Sequence, residues 1–258
     1  MSYAAWLVLV SAVVAVLERL APARPTQRTL RRSLPWDLVY LVFNGHFPGV
    51  LLALAFAHTA GPILDQMGAS ELLNRSWVSG WPLALQAAVA ILILDFIQWN
   101  VHRLLHAVPA FWRFHQVHHS VVNGEMDWIV SFRFHWMEAV IYKVVQYVPL
   151  ALLGFSGDAL MIHAVLGTLV GHLNHANLDW GHGPWRYILN SPRMHLWHHD
   201  ADAVKARNFG IILSCWDWLF GTAFLPDHPP ARLGFSGVEV LPPDFVRRSL
   251  WPLRFGAP

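Results

Sequence analysis

Long apolar stretches alternate with short polar segments along this chain, and the pattern predicts membrane helices. Residues 3–17 form an apolar run that ends at Glu18 and Arg19, before a proline-rich segment. The run has no basic start and no small-residue cleavage site, so we interpret it as a retained anchor helix. A second apolar segment, residues 36–58, is interrupted at residues 45–49, where two glycines flank a proline-containing stretch. The interruption predicts a break in that helix.

Three further apolar stretches follow. Residues 82–100 predict a third span, and residues 134–153 and 158–177 are each long enough to cross or nearly cross a bilayer. Because two crossings return a chain to the side it left, the histidines of residues 172–199 and 102–119 are expected on one membrane face. We predict an all-α integral membrane bundle of about four to five transmembrane helices with a cytoplasmic histidine-rich helical cap.

Arginines indicate which side of the membrane each loop occupies. Four of them follow the first apolar run, at positions 24, 28, 31 and 32. The positive-inside rule places this loop in the cytoplasm and the N-terminus outside. A site for an anionic ligand is the alternative interpretation of the same arginines. The loop at residues 59–81 carries Asp65, Glu71 and Arg75 without a basic excess, which suits the outer side. We expect the histidine motifs to face the cytoplasm, with a bacterial inner membrane as the location.

Composition supports a membrane protein and narrows the chemistry. The 258 residues are 55% hydrophobic and 13% charged, and the mean hydropathy is +0.38. The formal net charge of +2 gives no basic excess of the kind that nucleic-acid binding requires. Cys215 is the only cysteine, which excludes an internal disulfide, a cysteine-based zinc site and an iron–sulfur cluster. Any metal must therefore rest on histidine, with oxygen donors in support.

Histidines recur at helical spacing in three motifs, one HxxxH and two HxxHH. Residues three and four apart lie on one helix face, so each HxxHH would direct three imidazoles to one point and HxxxH two. A lone histidine is usually a packing or surface residue, but three such motifs in one chain favour metal binding. One zinc ion takes three or four ligands, and eight histidines suit two ions. The eight are His102, His106, His115, His118, His119, His195, His198 and His199.

Carboxylates near these motifs are candidates for supporting roles. Asp95 lies near the inner end of the third predicted span, where an ionisable residue is a functional candidate by default. It is interpreted either as a helix-to-helix hydrogen-bonding group or, as we favour, as an acceptor that orients a metal-ligating imidazole. Asp200 and Asp217 are predicted to have the same orienting role in the catalytic site.

The order of motifs over residues 95–224 resembles the fatty acid hydroxylase (sterol desaturase) superfamily of integral membrane oxygenases. The matching segments are HRLLH, HQVHH, GHLNHAN, HLWHHD, NFG and WDWLFGT. The resemblance implies two iron ions that activate O2 as co-substrate, with electrons from an external donor. The implied reaction is hydroxylation or desaturation of an unactivated C–H bond in a membrane lipid, either a fatty acyl chain or a sterol-like compound.

The resemblance also implies site residues. The eight motif histidines correspond to the family's metal ligands, and His175 corresponds to its isolated middle histidine. His172 lies one turn before His175 and is either a further ligand or a hydrogen-bonded helix histidine. The segment from Arg133 to Glu138 resembles the family's Arg-x-His-Pro-x-Glu. Trp136 stands where proline is usual, and no role is assigned to His135 or Glu138.

We expect one membrane-embedded domain over residues 1–258. It would comprise N-terminal membrane helices (1–94), the motif-bearing catalytic core (95–224) and a C-terminal tail (225–258). A separate electron-transfer protein or reductase is the expected partner, because no donor domain is visible in the sequence. Two alternatives stay open: a membrane hydrolase that uses zinc-bound water, and a non-enzymatic metal-binding membrane protein. In the latter the histidines would more naturally lie inside the spans.

Overall fold

A computed structural model describes residues 1–68, 77–121, 124–181 and 183–253, and these residues form helices joined by turns and loops. The described part contains isolated β-bridges but no β-strand, which confirms the predicted all-α class. Glu71 and Arg75, used above to place a loop outside the membrane, lie outside the described residues.

The first half of the chain is built from long apolar helices. Helix α1 is Tyr3–Leu20 and is capped by the preceding Ser2, whose side chain accepts a hydrogen bond from the Ala5 amide. Helix α2 is Leu34–Ala55, and a π-helical segment leads from it into α3 (Gly61–Gln66). Helix α4, Leu83–Ala107, extends the third predicted span directly into the HxxxH motif.

Three segments are long and apolar enough to cross a membrane: Tyr3–Leu20, Leu34–Ile63 and Leu83–Ala107. Helices α6 (Trp136–Leu152) and α7 (Gly157–His175), which the sequence predicted to cross as well, are not in this set. Helix α6 has 17 residues, and α7 carries three histidines along its 19 residues. The membrane character is therefore supported, whereas the count of four to five spans stays a prediction.

The predicted break in the second apolar segment is wrong, because α2 runs through Pro48 without interruption. Gly45 has a packing role instead. A Cβ atom added at Gly45 would lie 2.7 Å from the Leu7 side chain and 3.3 Å from that of Phe132. The missing side chain allows α1 and the segment around Phe132 to approach α2 closely.

Short helices carry His115, His195 and His198. Helices α5 (Pro109–His115) and α8 (Pro192–His198) each have proline in the first turn, where a backbone N–H is not needed. Helix α9 is Cys215–Leu219 and α10 is Phe245–Leu250. One-turn 3₁₀ helices occur between these elements, including Trp128–Phe132.

Helix α7 lies at the centre of the bundle and packs against α1, α4, α8 and the 3₁₀ helix Trp128–Phe132. Helix α6 packs against α2 and α4. The loop between α1 and α2 reaches the end of α7, because the Ala23 amide donates to the Asn177 carbonyl at 2.9 Å. This arginine-bearing loop and the histidine-bearing end of α7 therefore lie at the same end of the molecule.

Buried ion pairs fix that loop in place. Arg31 contacts Asp127 at 2.5 Å and Asp37 at 3.3 Å, and Arg133 contacts Asp37 at 2.6 Å. All four side chains are almost fully buried. A buried charge is tolerated only when it is paired and hydrogen-bonded, as these four are. Arg31, interpreted above as a topology determinant, is thus also a structural residue.

Candidate metal centre

Nine histidines converge at this end of the molecule in two adjacent groups. In each group, one ring nitrogen per histidine lies within 4.8 Å of the others. The first group is His102, His106, His115, His119 and His198. The second group is His118, His175, His195 and His199. All eight motif histidines and His175 are therefore brought together, as the two-metal prediction requires.

The first group is assembled from three helices. His102 and His106 lie one turn apart at the end of α4, His115 ends α5, and His198 ends α8. The Nε2 atoms of His102 and His115 are 3.1 Å apart, and those of His119 and His198 are also 3.1 Å apart. Except for His106, which is half-buried, these rings are buried.

The second group is fully buried and centred on α7. His175 is the last residue of α7, and its Nε2 atom lies 3.1 Å from that of His118 and 3.0 Å from that of His195. The His199 ring is within 5.2 Å of the His175 ring, centroid to centroid. Nδ1 of His195 and both nitrogens of His199 are buried without a hydrogen-bond partner.

Each HxxHH motif is divided between the two groups, which corrects the prediction that its three imidazoles converge on one point. His115 and His119 belong to the first group and His118 to the second, whereas His198 belongs to the first and His195 to the second. Helix α5 ends at His115 and α8 ends at His198. His118 and His119 follow the end of α5 and lie in a turn, so helical periodicity does not determine their direction. His195 and His198 both lie on α8, where their Nε2 atoms face different partners, His175 and His119 respectively.

The hydrogen bonds of these rings show why the donor set suits metal cations. Nδ1 of His118 and of His175 each donate to a backbone carbonyl, that of Arg133 at 3.3 Å and that of Gly171 at 2.7 Å. A carbonyl only accepts, so each Nδ1 carries the ring proton and each Nε2 presents a lone pair. Two lone pairs that face each other at 3.1 Å repel unless a cation lies between them. The residues present therefore fit a metal ion.

The first group repeats this arrangement. Nδ1 of His102 donates to the Phe209 carbonyl at 2.8 Å, and Nδ1 of His115 donates to Glu138 Oε2 at 2.7 Å. Their Nε2 atoms again face each other. Nδ1 of His198 donates to the Arg207 carbonyl at 2.8 Å. In metal-ligating histidines, one ring nitrogen typically donates to a carbonyl or carboxylate, and the other is left free to bind the metal.

Burial keeps the imidazoles neutral. Six histidines of the two groups lie outside the candidate spans and α7, and burial, followed by neighbouring histidines, lowers the pKa of each well below 6.5. They are His115, His118, His119, His195, His198 and His199. Neutral imidazole is the form that binds metal.

Glu138 is a functional candidate that the sequence reasoning did not assign. It is fully buried and accepts from His115 with Oε2 and from the His135 backbone amide with Oε1. The His135 side chain in turn accepts from the first turn of α6, forming a capping box. The sequence carried a signal for Glu138: the segment from His135 to Glu138 has the four-residue spacing of a capping box and precedes an apolar run. His135 lies in neither histidine group and its Nε2 donates to the Ser249 carbonyl.

The three aspartates predicted to orient imidazoles do not contact them. Asp95 accepts from the backbone amides of Ile212 and Leu213 and from Trp216 Nε1. Asp217 accepts from the Phe209 amide at 2.9 Å, and Asp200 accepts from a neighbouring amide. Asp217 therefore acts on the site only through Phe209: it accepts from the Phe209 amide, and the Phe209 carbonyl accepts from His102. Asp95 has these backbone partners because the segment after α8 folds back onto α4.

His172 lies in neither group, so the structure favours the hydrogen-bonded alternative over a further ligand. Its Nε2 atom is 3.0 Å from Ser11 Oγ, and its Nδ1 atom is 2.6 Å from Ser131 Oγ. Both nitrogens are therefore engaged by hydroxyls that link α7 to α1 and to the 3₁₀ helix Trp128–Phe132.

Two cavities of opposite character meet the histidines. A mainly apolar cavity of about 920 Å³ extends between α2, α6 and α7, and its wall includes His102, His115, His118 and His175. A smaller, polar cavity of about 350 Å³ reaches His106, His119 and His198 from another direction. Asp200 lines this second cavity. The two cavities contact different histidines, so the paired groups separate an apolar compartment from a polar one.

Comparison with known proteins gives a consistent result. A family model described as fatty acid hydroxylase matches residues 87–222. The chain is 31% identical over 231 residues to an ornithine lipid hydroxylase of Rhizobium tropici, covering 88% of this chain and 68% of the relative. It is 28% identical over 172 residues to an alkylglycerol monooxygenase of Xenopus tropicalis, covering 64% and 35%.

A third relative is a very-long-chain aldehyde decarbonylase of Oryza sativa subsp. japonica, 25% identical over 142 residues, which are 54% of this chain. The chain spans 46% of that relative and about a third of the monooxygenase. No solved structure matches the chain.

Proposed function

The chain belongs to the fatty acid hydroxylase family, and from that premise we propose that it is an O2-dependent di-iron hydroxylase of a membrane lipid. Relatives named for hydroxylation of ornithine lipid and for monooxygenation of alkylglycerol support hydroxylation as the reaction. Both names refer to lipids, which supports a lipid substrate. The apolar helices that surround the site support the same substrate class.

One observation carries the proposal: two groups of buried imidazoles present inward-facing lone pairs, and members of both groups line a mainly apolar cavity. Such an arrangement is unfavourable for a site that stays empty and favourable for one that binds cations. Imidazole alone does not choose among zinc, copper and iron. The family supports iron.

In this proposal the five histidines of the first group hold one iron ion and the four of the second group hold the other. Bound iron supplies O2 activation, with electrons from a separate reductase or electron carrier. His172 is assigned to positioning, because its two nitrogens are occupied by serine hydroxyls.

The chain's own residues orient the ligands. Glu138 and the carbonyls of Phe209 and Arg207 hold the Nδ1 protons of His115, His102 and His198. Fixing the proton on Nδ1 keeps the lone pair on Nε2 and limits rotation of each ring. Asp217 contributes indirectly, because it anchors the backbone that carries the Phe209 carbonyl.

The two cavities suggest how the reactants are separated. A lipid would enter the apolar cavity and place a C–H bond next to His102, His115, His118 and His175, in surroundings that exclude water. Hydroxylation also consumes protons and releases water, and the polar cavity at His106, His119 and His198 provides a route for both. Keeping bulk water from the lipid side limits unproductive reactions.

We place the histidine groups on the cytoplasmic side of the membrane. The support is the loop between α1 and α2, whose arginines lie at the same end of the molecule as the histidines. In a cysteine-free C215S background, a membrane-impermeant maleimide should label a cysteine at Ser2 in intact cells. A cysteine at the exposed Val204 should be labelled only after lysis. The reverse labelling would contradict this orientation.

The proposed reaction is tested by loading the purified full-length protein with ferrous iron or with zinc and supplying reductant, membrane lipids and ¹⁸O-labelled O2. Mass spectrometry should detect label in a lipid hydroxyl only with iron, reductant and O2 together. Turnover by the zinc-loaded protein without O2 would instead support the hydrolase alternative. Metal binding without any lipid product would support a non-enzymatic metal-binding protein.

A further inference from the structure

A single lysine stands in the wall of the apolar cavity. Lys143 lies on α6 and is one of two lysines in the sequence. Apart from histidines, it is the only basic side chain among the described residues that line this cavity. Most of the cavity wall is apolar and includes side chains such as Leu52 and Val148. A cation in such surroundings is costly unless an anion or strong acceptor pairs with it.

Lys143 has no such partner within the described residues. The one carboxylate in the described cavity wall is Glu138, and both of its oxygens are occupied, by His115 and by the His135 amide. The remaining ion pairs of the described chain involve arginines and His115. The ammonium group therefore faces the cavity without a counter-charge from the protein.

The chain also makes room for this side chain. A Cβ atom added at Gly49 would lie 3.5 Å from Lys143 Nζ and 3.6 Å from its Cε. The lysine thus extends along α2 at a position where α2 has no side chain. Gly49 belongs to a candidate membrane span. An ionisable group at such a site is a functional candidate, and its partner should be named.

Resting on the proposed lipid hydroxylase function, we propose that Lys143 binds an anionic group of the substrate, a carboxylate or a phosphate, inside the cavity. Lys143 follows Glu138 by five residues on α6, a rise of about 7.5 Å along the helix. Since Glu138 contacts His115, the anionic group would bind close to the metal centre. We therefore expect the oxidised carbon on the part of the lipid nearer to that group and not at the far end of a long acyl chain.

Binding tests the inference without requiring turnover. Dodecanoate, dodecyl phosphate and dodecanol share a chain and differ in the head group, and their affinities for the full-length, iron-loaded protein can be measured by equilibrium dialysis in detergent. We expect one or both anions to bind about tenfold to a hundredfold more tightly than dodecanol, the range for a hydrogen bond to a charged group. Whichever anion binds more tightly identifies the carboxylate or the phosphate as the source.

Three variants distinguish an effect of the Lys143 charge from a general loss of folding. Lys143→Met should reduce the affinity for the preferred anion to that for dodecanol, and Lys143→Arg should retain most of the preference. The matched control is Lys205→Met, which removes the other lysine, an exposed residue outside the cavity, and should leave the preference unchanged. Iron content and melting temperature should be the same in all four proteins, because Lys143 contacts no ligand histidine in the described structure.

Equal affinities for dodecanol and both anions in the wild type, or an unchanged anion preference in Lys143→Met, would overturn the inference. A wild type that prefers anions but yields no ¹⁸O-labelled lipid would count against the proposed function instead. When hydroxylation is observed, the Lys143→Met variant should yield products hydroxylated at several different carbons. The reason is that the variant no longer binds the anionic group that positions the lipid in the cavity. A hydroxyl fixed far from the anionic group in the wild type would contradict the assignment.

Discussion

The chemistry of single residues in this site depends on which ring nitrogen carries the proton. His118 and His175 both donate Nδ1–H to carbonyls, and their Nε2 atoms are left facing each other at 3.1 Å. The same holds for His102 and His115, where Glu138 replaces one carbonyl. Glu138, a residue outside the motifs, therefore helps to fix the donor set.

Replacement of one histidine per group tests the two-ion arrangement. His118→Ala and His198→Ala should each lose bound iron, measured by plasma mass spectrometry, and abolish turnover. The loss should exceed the roughly 10- to 100-fold effect typical of residues that only support a ligand. The exposed His228 provides the control, because His228→Ala removes an imidazole outside both groups. Full iron occupancy with normal activity in either site variant would refute the ligand assignment.

Replacement of Glu138 tests the supporting carboxylate. Glu138→Gln keeps the size of the side chain and replaces its carboxyl group by a neutral amide, a weaker acceptor, so the His115 ring should be held and polarised less strongly. We expect iron affinity, measured by competition with a chelator, to fall by about 10- to 100-fold. Asp158→Asn neutralises an exposed carboxylate in the first turn of α7 and should have no effect. Equal affinities of the Glu138→Gln variant and the wild type would show that Glu138 serves only as a helix cap.

At the scale of elements, the packing of short helices and turns decides which histidine goes to which group. The turn after α5 directs His118 and His119 to different groups, whereas α8 presents His195 and His198 to different groups from within one helix. The segment after α8 then supplies carbonyl acceptors. Asp217 holds this segment by accepting from the amides of Phe209 and Gly210, and Asp95 holds its continuation at Ile212.

The close packing of that segment predicts a strong effect of one methyl group. A Cβ added at Gly210 would lie 2.3 Å from the Leu213 carbonyl oxygen and 3.0 Å from Asp217 Oδ2. Gly210→Ala should therefore destabilise the fold by about 1–3 kcal/mol and lower iron retention, because the Phe209 carbonyl moves with it.

Gly171→Ala is the matched control, since an added Cβ at Gly171 meets nothing within 4 Å. Alanine is the better helix former in α7, so this variant should be neutral or stabilised by up to about 1 kcal/mol. Thermal denaturation in detergent compares the two. A Gly210→Ala protein as stable as Gly171→Ala would show that the segment is less tightly packed than described.

For the whole molecule, the histidine groups lie between an apolar cavity and a polar one, at the end of a bundle whose buried ion pairs hold the first loop against the site. This placement keeps many imidazoles out of water at once. Six of them, outside the candidate spans and α7, have a pKa well below 6.5 because of burial. The stability of the protein should therefore depend on pH.

The metal-free protein should lose stability as the pH falls below about 6.5. Between the lowered pKa of each folded histidine and 6.5, the unfolded chain binds more protons, so protonation favours unfolding. Each fully shifted histidine contributes at most about 1.4 kcal/mol per pH unit. Melting temperatures of the metal-free protein between pH 8 and pH 5 should be flat above pH 7 and fall below 6.5. Iron-loaded protein is the control and should resist acid until protons displace the metal. A flat profile for the metal-free form would contradict this account.

The sequence by itself determined the helical class, the membrane character and the eight motif histidines, because helical spacing and apolar runs are local patterns; His175 was indicated only by the family resemblance. It also indicated the family through the order of its motifs. Only the tertiary structure decided how those histidines divide into two groups, since the division depends on which distant histidines each ring faces. It showed that both ring nitrogens of His172 contact serine hydroxyls and that Glu138, rather than Asp95, contacts an imidazole. It also showed Lys143 in the cavity wall without a charged partner among the described residues. These outcomes depend on which distant segments pack together, and no local pattern in the chain encodes such contacts.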